Sequence, residues 1–72
     1  MSKDEAEREA IRRWYLLPEH QRRTYEDAEA YGLRLDLELD FHSVTLRSRL
    51  IGAWLIRELF RSRGESAKAR AA

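Results

Sequence analysis

The sequence predicts a small α+β protein whose elements follow the order helix, helix, strand, helix. Three observations support this prediction. Apolar and polar residues alternate strictly over 33–41, apolar residues recur at helical spacing on both sides of that run, and the 72-residue length limits the chain to one domain. Because one strand cannot form a sheet by itself, we expect it to pair with a second copy in a homodimer, or with a different protein.

The length and composition limit how this domain can be stabilised. A chain of 72 residues without cysteine has no disulfide framework and only a small core, so self-association is the remaining route to stability. Residues 1–63 are predicted to fold, and the small, polar residues 64–72 to form a disordered tail. No run of about 18 apolar residues and no signal-peptide pattern is present, which predicts a cytoplasmic protein without a membrane span.

The net charge of +1 conceals a difference between the two ends of the chain. Residues 1–42 contain seven Lys and Arg against eleven Asp and Glu, whereas residues 43–72 contain seven against two. The C-terminal part is therefore the cationic one. Such polarity favours either an anionic partner or pairing between opposite ends of two subunits.

The first helix is predicted over residues 3–17. Ala6, Ala10, Trp14 and Leu17 recur at helical spacing, and Ser2 can cap the start. Pro18 should end this helix.

A second helix is predicted from Pro18 to Tyr31, because proline is well suited to the first position of a helix. Gly32 should then end it in a left-handed conformation. The predicted inner stripe of this helix is thin and consists of Gln21, Thr24, Tyr25, Ala28 and Tyr31.

The alternating run should place its apolar side chains on one face of the strand that joins the dimer. These residues are Leu33, Leu35, Leu37, Leu39 and Phe41. The opposite face has an acidic row that ends at His42. Neighbours on one strand face lie roughly 7 Å apart, too far for direct chelation, so no metal site is predicted.

The third helix is predicted to begin at Ser43 or Thr45 and to continue to about Arg61 or Ser62. Apolar residues occupy nearly all sides of it, which indicates contacts on more than one side. Ser48 and Gly52 lie four residues apart and would let another helix approach closely.

The predicted partner-binding face combines an indole with guanidinium groups on one side of the third helix. Trp54 and arginines three and seven residues away suit an acidic protein surface, because Trp and Arg are enriched at binding hot spots. The residues are Arg47, Leu50, Trp54, Arg57 and Arg61. The opposing interpretation is that Trp54 is buried and the arginines form a solvated rim around it.

These patterns favour a small, non-enzymatic regulatory or adaptor protein of the bacterial, plasmid or phage type. The alternative is a nucleic-acid-binding regulator in which Arg22, Arg23 and Arg49 add phosphate contacts to the same basic face. Catalysis has little support, because neither His20 nor His42 has a nucleophile at a suitable spacing. No cofactor is predicted, since no glycine-rich phosphate loop is present.

Overall fold

The computed structural model is an all-helical arrangement of three helices. It describes the backbone of residues 1–71 and the side chains of residues 1–63. The predicted disordered tail, 64–72, lies outside the described side chains and stays a prediction. α2 packs along α3, and α1 contacts α3 to a smaller extent. The helices are α1 (Lys3–Leu16), α2 (Tyr25–Asp36) and α3 (Arg47–Ala71), with a short 3-10 turn at Glu19–Gln21 before α2.

The prediction of the first helix is confirmed almost to the residue. The Ser2 hydroxyl accepts a hydrogen bond from the Glu5 backbone N–H at 3.1 Å, which caps α1. Ala6, Ala10 and Trp14 are buried, as their spacing predicts. The chain leaves the helix at Leu17, because the residue before a proline is pushed into an extended conformation.

The second helix begins later and ends later than predicted. Thr24 caps α2 together with Asp27: the Asp27 N–H donates to the Thr24 hydroxyl, and the Thr24 N–H donates to the Asp27 carboxylate, both at 3.1 Å. This capping box satisfies two orphan amides and fixes the start of the helix. The predicted stop at Gly32 is wrong, since no residue of the described backbone has a positive φ and α2 continues for four residues beyond it.

The predicted strand over 33–41 is also wrong. No strand occurs in residues 1–71, so the α+β class and the strand-paired homodimer are both overturned. The five apolar residues do not share one face. Leu35, Leu39 and Phe41 are buried, whereas Leu33 is 63% exposed and Leu37 is 88% exposed.

The same leucines also fit a helical pattern, which explains the error. Ala28, Gly32, Leu35 and Leu39 follow one another at intervals of four, three and four residues, and all four are buried. A helix satisfies its backbone groups internally, whereas a lone strand needs a partner. The Leu39 N–H still donates to the Leu35 carbonyl at 2.8 Å beyond the end of α2, so helical bonding persists there.

Gly32 is placed where the backbones of α2 and α3 come closest. A Cβ at Gly32 would lie 3.0 Å from the Gly52 nitrogen and 3.0 Å from the Ser48 carbonyl oxygen. The predicted close approach at Ser48 and Gly52 is therefore confirmed. Gly32 is required here for contact rather than for a left-handed turn.

The third helix begins at Arg47, after an irregular segment over 37–46. The Leu50 N–H donates to the Leu46 carbonyl, so Leu46 directly precedes the first turn of α3. Ser43 does not begin this helix as predicted; its hydroxyl accepts a hydrogen bond from the Thr45 N–H. α3 supplies the largest share of the core. The buried hydrophobic residues are Ala6, Ala10, Trp14, Ala28, Leu35, Leu39, Phe41, Ile51, Trp54, Leu55 and Leu59.

Candidate protein-binding groove

Trp54, the centre of the predicted partner-binding face, lies inside the protein. Its side chain is 6% exposed, and its ring centroid is 5.7 Å from that of Phe41. The irregular segment over 37–46 thus covers the indole with an aromatic residue. In this structure Trp54 holds that segment against α3.

The three arginines of the same face each have a carboxylate partner on the protein. Arg47 contacts Asp36 at 3.1 Å and Asp40 at 3.3 Å, and it also donates to the Leu39 carbonyl at 3.5 Å. Arg47 therefore joins α3 to the end of α2 and to the irregular segment.

The other two arginines form ion pairs nearer the surface. Arg57 contacts Glu7 of α1 at 3.0 Å, and Arg61 lies 3.8 Å from the buried carboxylate of Glu58. Leu50, the remaining member of the predicted face, is half-buried. The structure thus gives each of these arginines a carboxylate partner, while the side chains of Arg57 and Arg61 remain 58% and 68% exposed.

An apolar groove lies on a different side of α3, between α3 and α2. Its volume is about 440 Å³. Leu33 and Leu46, which are 63% and 67% exposed, line it together with Gly52 and Ala53. We call it the α2–α3 groove; its lining residues are Glu29, Leu33, Leu46, Ser48, Arg49, Gly52, Ala53 and Ile56.

The residues of the groove come from two regular helical rows. On α2, Glu29 and Leu33 lie four residues apart. On α3, Arg49, Ala53 and Ile56 are separated by four and three residues, which places them on one side of the helix.

One further helical turn extends both rows to an aromatic pair. Tyr25 precedes Glu29 by four residues and Phe60 follows Ile56 by four. Their ring centroids are 5.4 Å apart, and the side chains remain 45% and 55% exposed. The apolar surface therefore extends past the groove along both helices.

The two glycines of the helix crossing have opposite surroundings. Gly32 faces the α3 backbone, whereas a Cβ built at Gly52 would meet no atom within 4 Å apart from the backbone of its own helix. Because Gly52 lines the groove, that empty space belongs to the groove. The absence of a side chain at Gly52 thus keeps the groove deep.

Two opposite charges border the groove, and neither is paired with a described side chain. Glu29 and Arg49 are both exposed, and neither forms an ion pair or a hydrogen bond with any residue whose side chain is described. Their behaviour differs from that of Arg47, Arg57 and Arg61. A ligand in the groove would find one acidic and one basic group available.

Tyr15, His20 and His42 lie outside the α2–α3 groove. The Tyr15 hydroxyl donates to the Glu58 carboxylate at 3.2 Å, and burial, followed by the charge of Glu58, raises the pKa of Tyr15. A phenol with a raised pKa is a poor nucleophile at neutral pH. His20 and His42 are exposed, and neither has a hydroxyl or thiol partner among the hydrogen bonds of residues 1–63.

Among the described residues, no group of three or more His, Asp or Glu side chains could hold a metal ion. The helices of this part of the chain also do not combine the length and the apolar character needed to cross a bilayer.

Comparison with known proteins identified no relative. No protein-family model matches the chain, and neither curated proteins nor solved structures gave a significant match.

Sequence reasoning did not identify the groove, although a signal was present. The alternating run predicts a strand at Leu33, and the third helix is predicted to be apolar on nearly all sides, which does not distinguish a groove side. The useful signal was the four-residue spacing of Tyr25, Glu29 and Leu33, which becomes visible only once α2 is extended past Gly32.

Proposed function

We propose that this protein is a small, non-enzymatic binding protein and that it contacts another polypeptide with the α2–α3 groove. The observation that carries the proposal is the groove itself, which is lined by two exposed leucines and by Gly52, where no side chain fills the space. Exposed apolar surface bordered by polar residues is a common feature of protein–protein interaction sites. A regulatory or adaptor role is in keeping with such a surface.

The contact surface in this proposal replaces the basic and aromatic one. A hot-spot residue must be accessible to the partner, and Trp54 is covered by Phe41. Leu33 and Leu46 are accessible and lie beside a recess. Helix-in-groove binding, in which an amphipathic helix places apolar side chains between two helices, fits this shape.

Site-specific photocrosslinking in the cells that naturally make the protein tests the proposal. A photoreactive phenylalanine is introduced at Leu33 in the groove, and at Leu16 as the matched control. Leu16 is a leucine of α1 that does not line the groove and is 70% exposed. We expect a discrete crosslinked product from position 33 and none from position 16.

Absence of a product at position 33, or equal products at both positions, would overturn the proposal. A product that contains either a second copy of the chain or a different protein would support it. The mass of the product separates these two kinds of partner.

A further inference from the structure

We infer that the occupant of the α2–α3 groove is a second copy of this chain, bound by two-fold symmetry with Glu29 of each copy facing Arg49 of the other. This inference rests on the proposed function, because it names the polypeptide that the groove binds. It differs from the strand-paired dimer that the structure overturned, since the contact here is made by helices.

The charges are the first argument. In a two-fold interface the same surface patch is used by both copies, so each group must meet a complementary group from that same patch. Glu29 and Arg49 border one groove on opposite helices, and neither is paired with a described residue. Two-fold pairing would satisfy four charges with two equivalent contacts.

The shape is the second argument. An isologous interface also needs a projection and a recess on the same patch. Leu33 and Leu46 project, and the open space above Gly52 is a recess that an apolar side chain can enter. One copy can therefore supply the projection for the other, and α2 and α3 of both copies would form a four-helix arrangement.

The size of the chain is the third argument. A domain of 72 residues buries only about 60% of the surface that its unfolded chain exposes. Without cysteine it has no disulfide, and oligomerisation is a common means by which small domains gain stability. Mutual covering of the groove would bury Leu33, Leu46 and Phe60 in both copies.

Charge reversal tests the inference through analytical ultracentrifugation of the full chain. The wild type should sediment at twice the 8.6 kDa chain mass. Glu29→Arg and Arg49→Glu should each weaken self-association about tenfold or more, because each creates two like-charge contacts per dimer. Mixing the two variants in equal amounts should restore the double mass, because a mixed dimer has opposite charges at both contacts.

Apolar variants provide a second measurement. Leu33→Glu should shift the wild-type dimer to the monomer, and Leu16→Glu, a matched change outside the groove, should not. Circular dichroism verifies that each variant keeps its helical content. Glu29, Arg49 and both leucines are exposed, so the fold should tolerate all four substitutions.

The inference fails if the wild type remains a monomer at all concentrations up to the millimolar range. It also fails if the mixed charge variants do not associate, or if Leu33→Glu leaves the dimer intact. In each of these cases a photocrosslink from position 33 to a different protein would still support the proposed function. Failure of both experiments would exclude the groove as a binding surface.

Discussion

The two apolar sides of α3 differ in whether the chain covers them. On one side Ile51, Trp54 and Leu55 are buried beneath the rest of the fold. On the other side Ala53 lines the groove and Phe60 lies one turn beyond it, and both stay exposed. The sequence of α3 is similarly apolar on both sides, so hydrophobicity alone does not show which side is internal. Which apolar side of α3 becomes internal therefore depends on where the 37–46 segment and α2 pack against it.

The largest effect should come from removing a leucine of the covered side. Leu35→Ala should lower the free energy of unfolding by about 2–5 kcal/mol, because it leaves a cavity among fully buried side chains. Leu37→Ala should change it by less than about 0.5 kcal/mol, since that side chain is almost entirely in solvent. Urea denaturation followed by circular dichroism measures both values.

This pair of variants also tests the helix against the strand. In a strand, Leu35 and Leu37 would lie on the same face and share a similar environment. Equal losses of stability from the two substitutions would therefore contradict the structure.

The two glycines should respond in opposite directions to the same substitution. Gly32→Ala forces a Cβ against the backbone of α3, and such overpacking typically costs about 1–3 kcal/mol. Gly52→Ala places its methyl group in open space and should raise the free energy of unfolding by up to about 1 kcal/mol through helix propensity.

Thermal unfolding of both variants beside the wild type provides the measurement. A stable Gly32→Ala protein would show that α2 and α3 do not cross as closely as described. If the groove is filled by a second copy, Gly52→Ala should in addition weaken self-association, which separates folding from binding at one position.

A smaller effect on the free energy of unfolding is expected from the ion pairs of Arg47 on the covered side of α3. Arg47 is about one-third exposed in its contacts with Asp36 and Asp40, so coupling to either should be about 0.2–1 kcal/mol. A double-mutant cycle with Arg47→Met and Asp36→Asn would measure this coupling. The value should decrease as salt is added, and a coupling insensitive to salt would argue against the ion pair.

The smallest effect should come from an ion-paired carboxylate of α1, and it should disappear in acid. Hydrogen bonds first from Arg12 and then from Arg13 lower the pKa of Glu9 from 4.5 to about 2. A carboxyl whose pKa is lowered by folding stabilises the folded state above its unfolded pKa, and this contribution is lost as the pH falls from about 4.5 to about 2.

The wild type should therefore be more stable to heat than Glu9→Gln at pH 6, and the two proteins should be equally stable near pH 2. Scanning calorimetry across that range measures the difference. The matched control is Glu19→Gln. Glu19 lies on the 3-10 turn, and its side chain makes no ion pair with a described residue. A wild-type advantage that persisted near pH 2 would show that Glu9 acts through something other than its charge.

Part of the fold could be read directly from local patterns. The Ser2 cap, the spacing of Ala6, Ala10 and Trp14, and the stop before Pro18 depend on residues within one or two helical turns of each other. Short-range signals of this kind are visible in any single sequence. The close helix approach at Ser48 and Gly52 was also predictable, because small residues four apart permit it on whatever helix they occupy.

The candidate site was less predictable because it depends on contacts between distant segments. Trp54 and its neighbouring arginines looked like a binding face only until Phe41 and the carboxylates of α1 and α2 were placed beside them. Leu33 looked like a strand residue until α2 was seen to continue through Gly32. Neither placement can be derived from the spacing of residues within a single element.

The sequence by itself determined that three segments are amphipathic and helical, where the first of them ends, and that α3 is apolar on more than one side. Only the tertiary structure decided that 33–36 belongs to α2, that Trp54 is internal and that the exposed groove lies between α2 and α3. The physical reason is that a run of alternating leucines satisfies both a period of two and a helical stripe. Whether the run forms a strand or a helix depends on two things: whether its backbone groups can hydrogen-bond within a helix, and which leucines face α3 when α2 crosses it at Gly32.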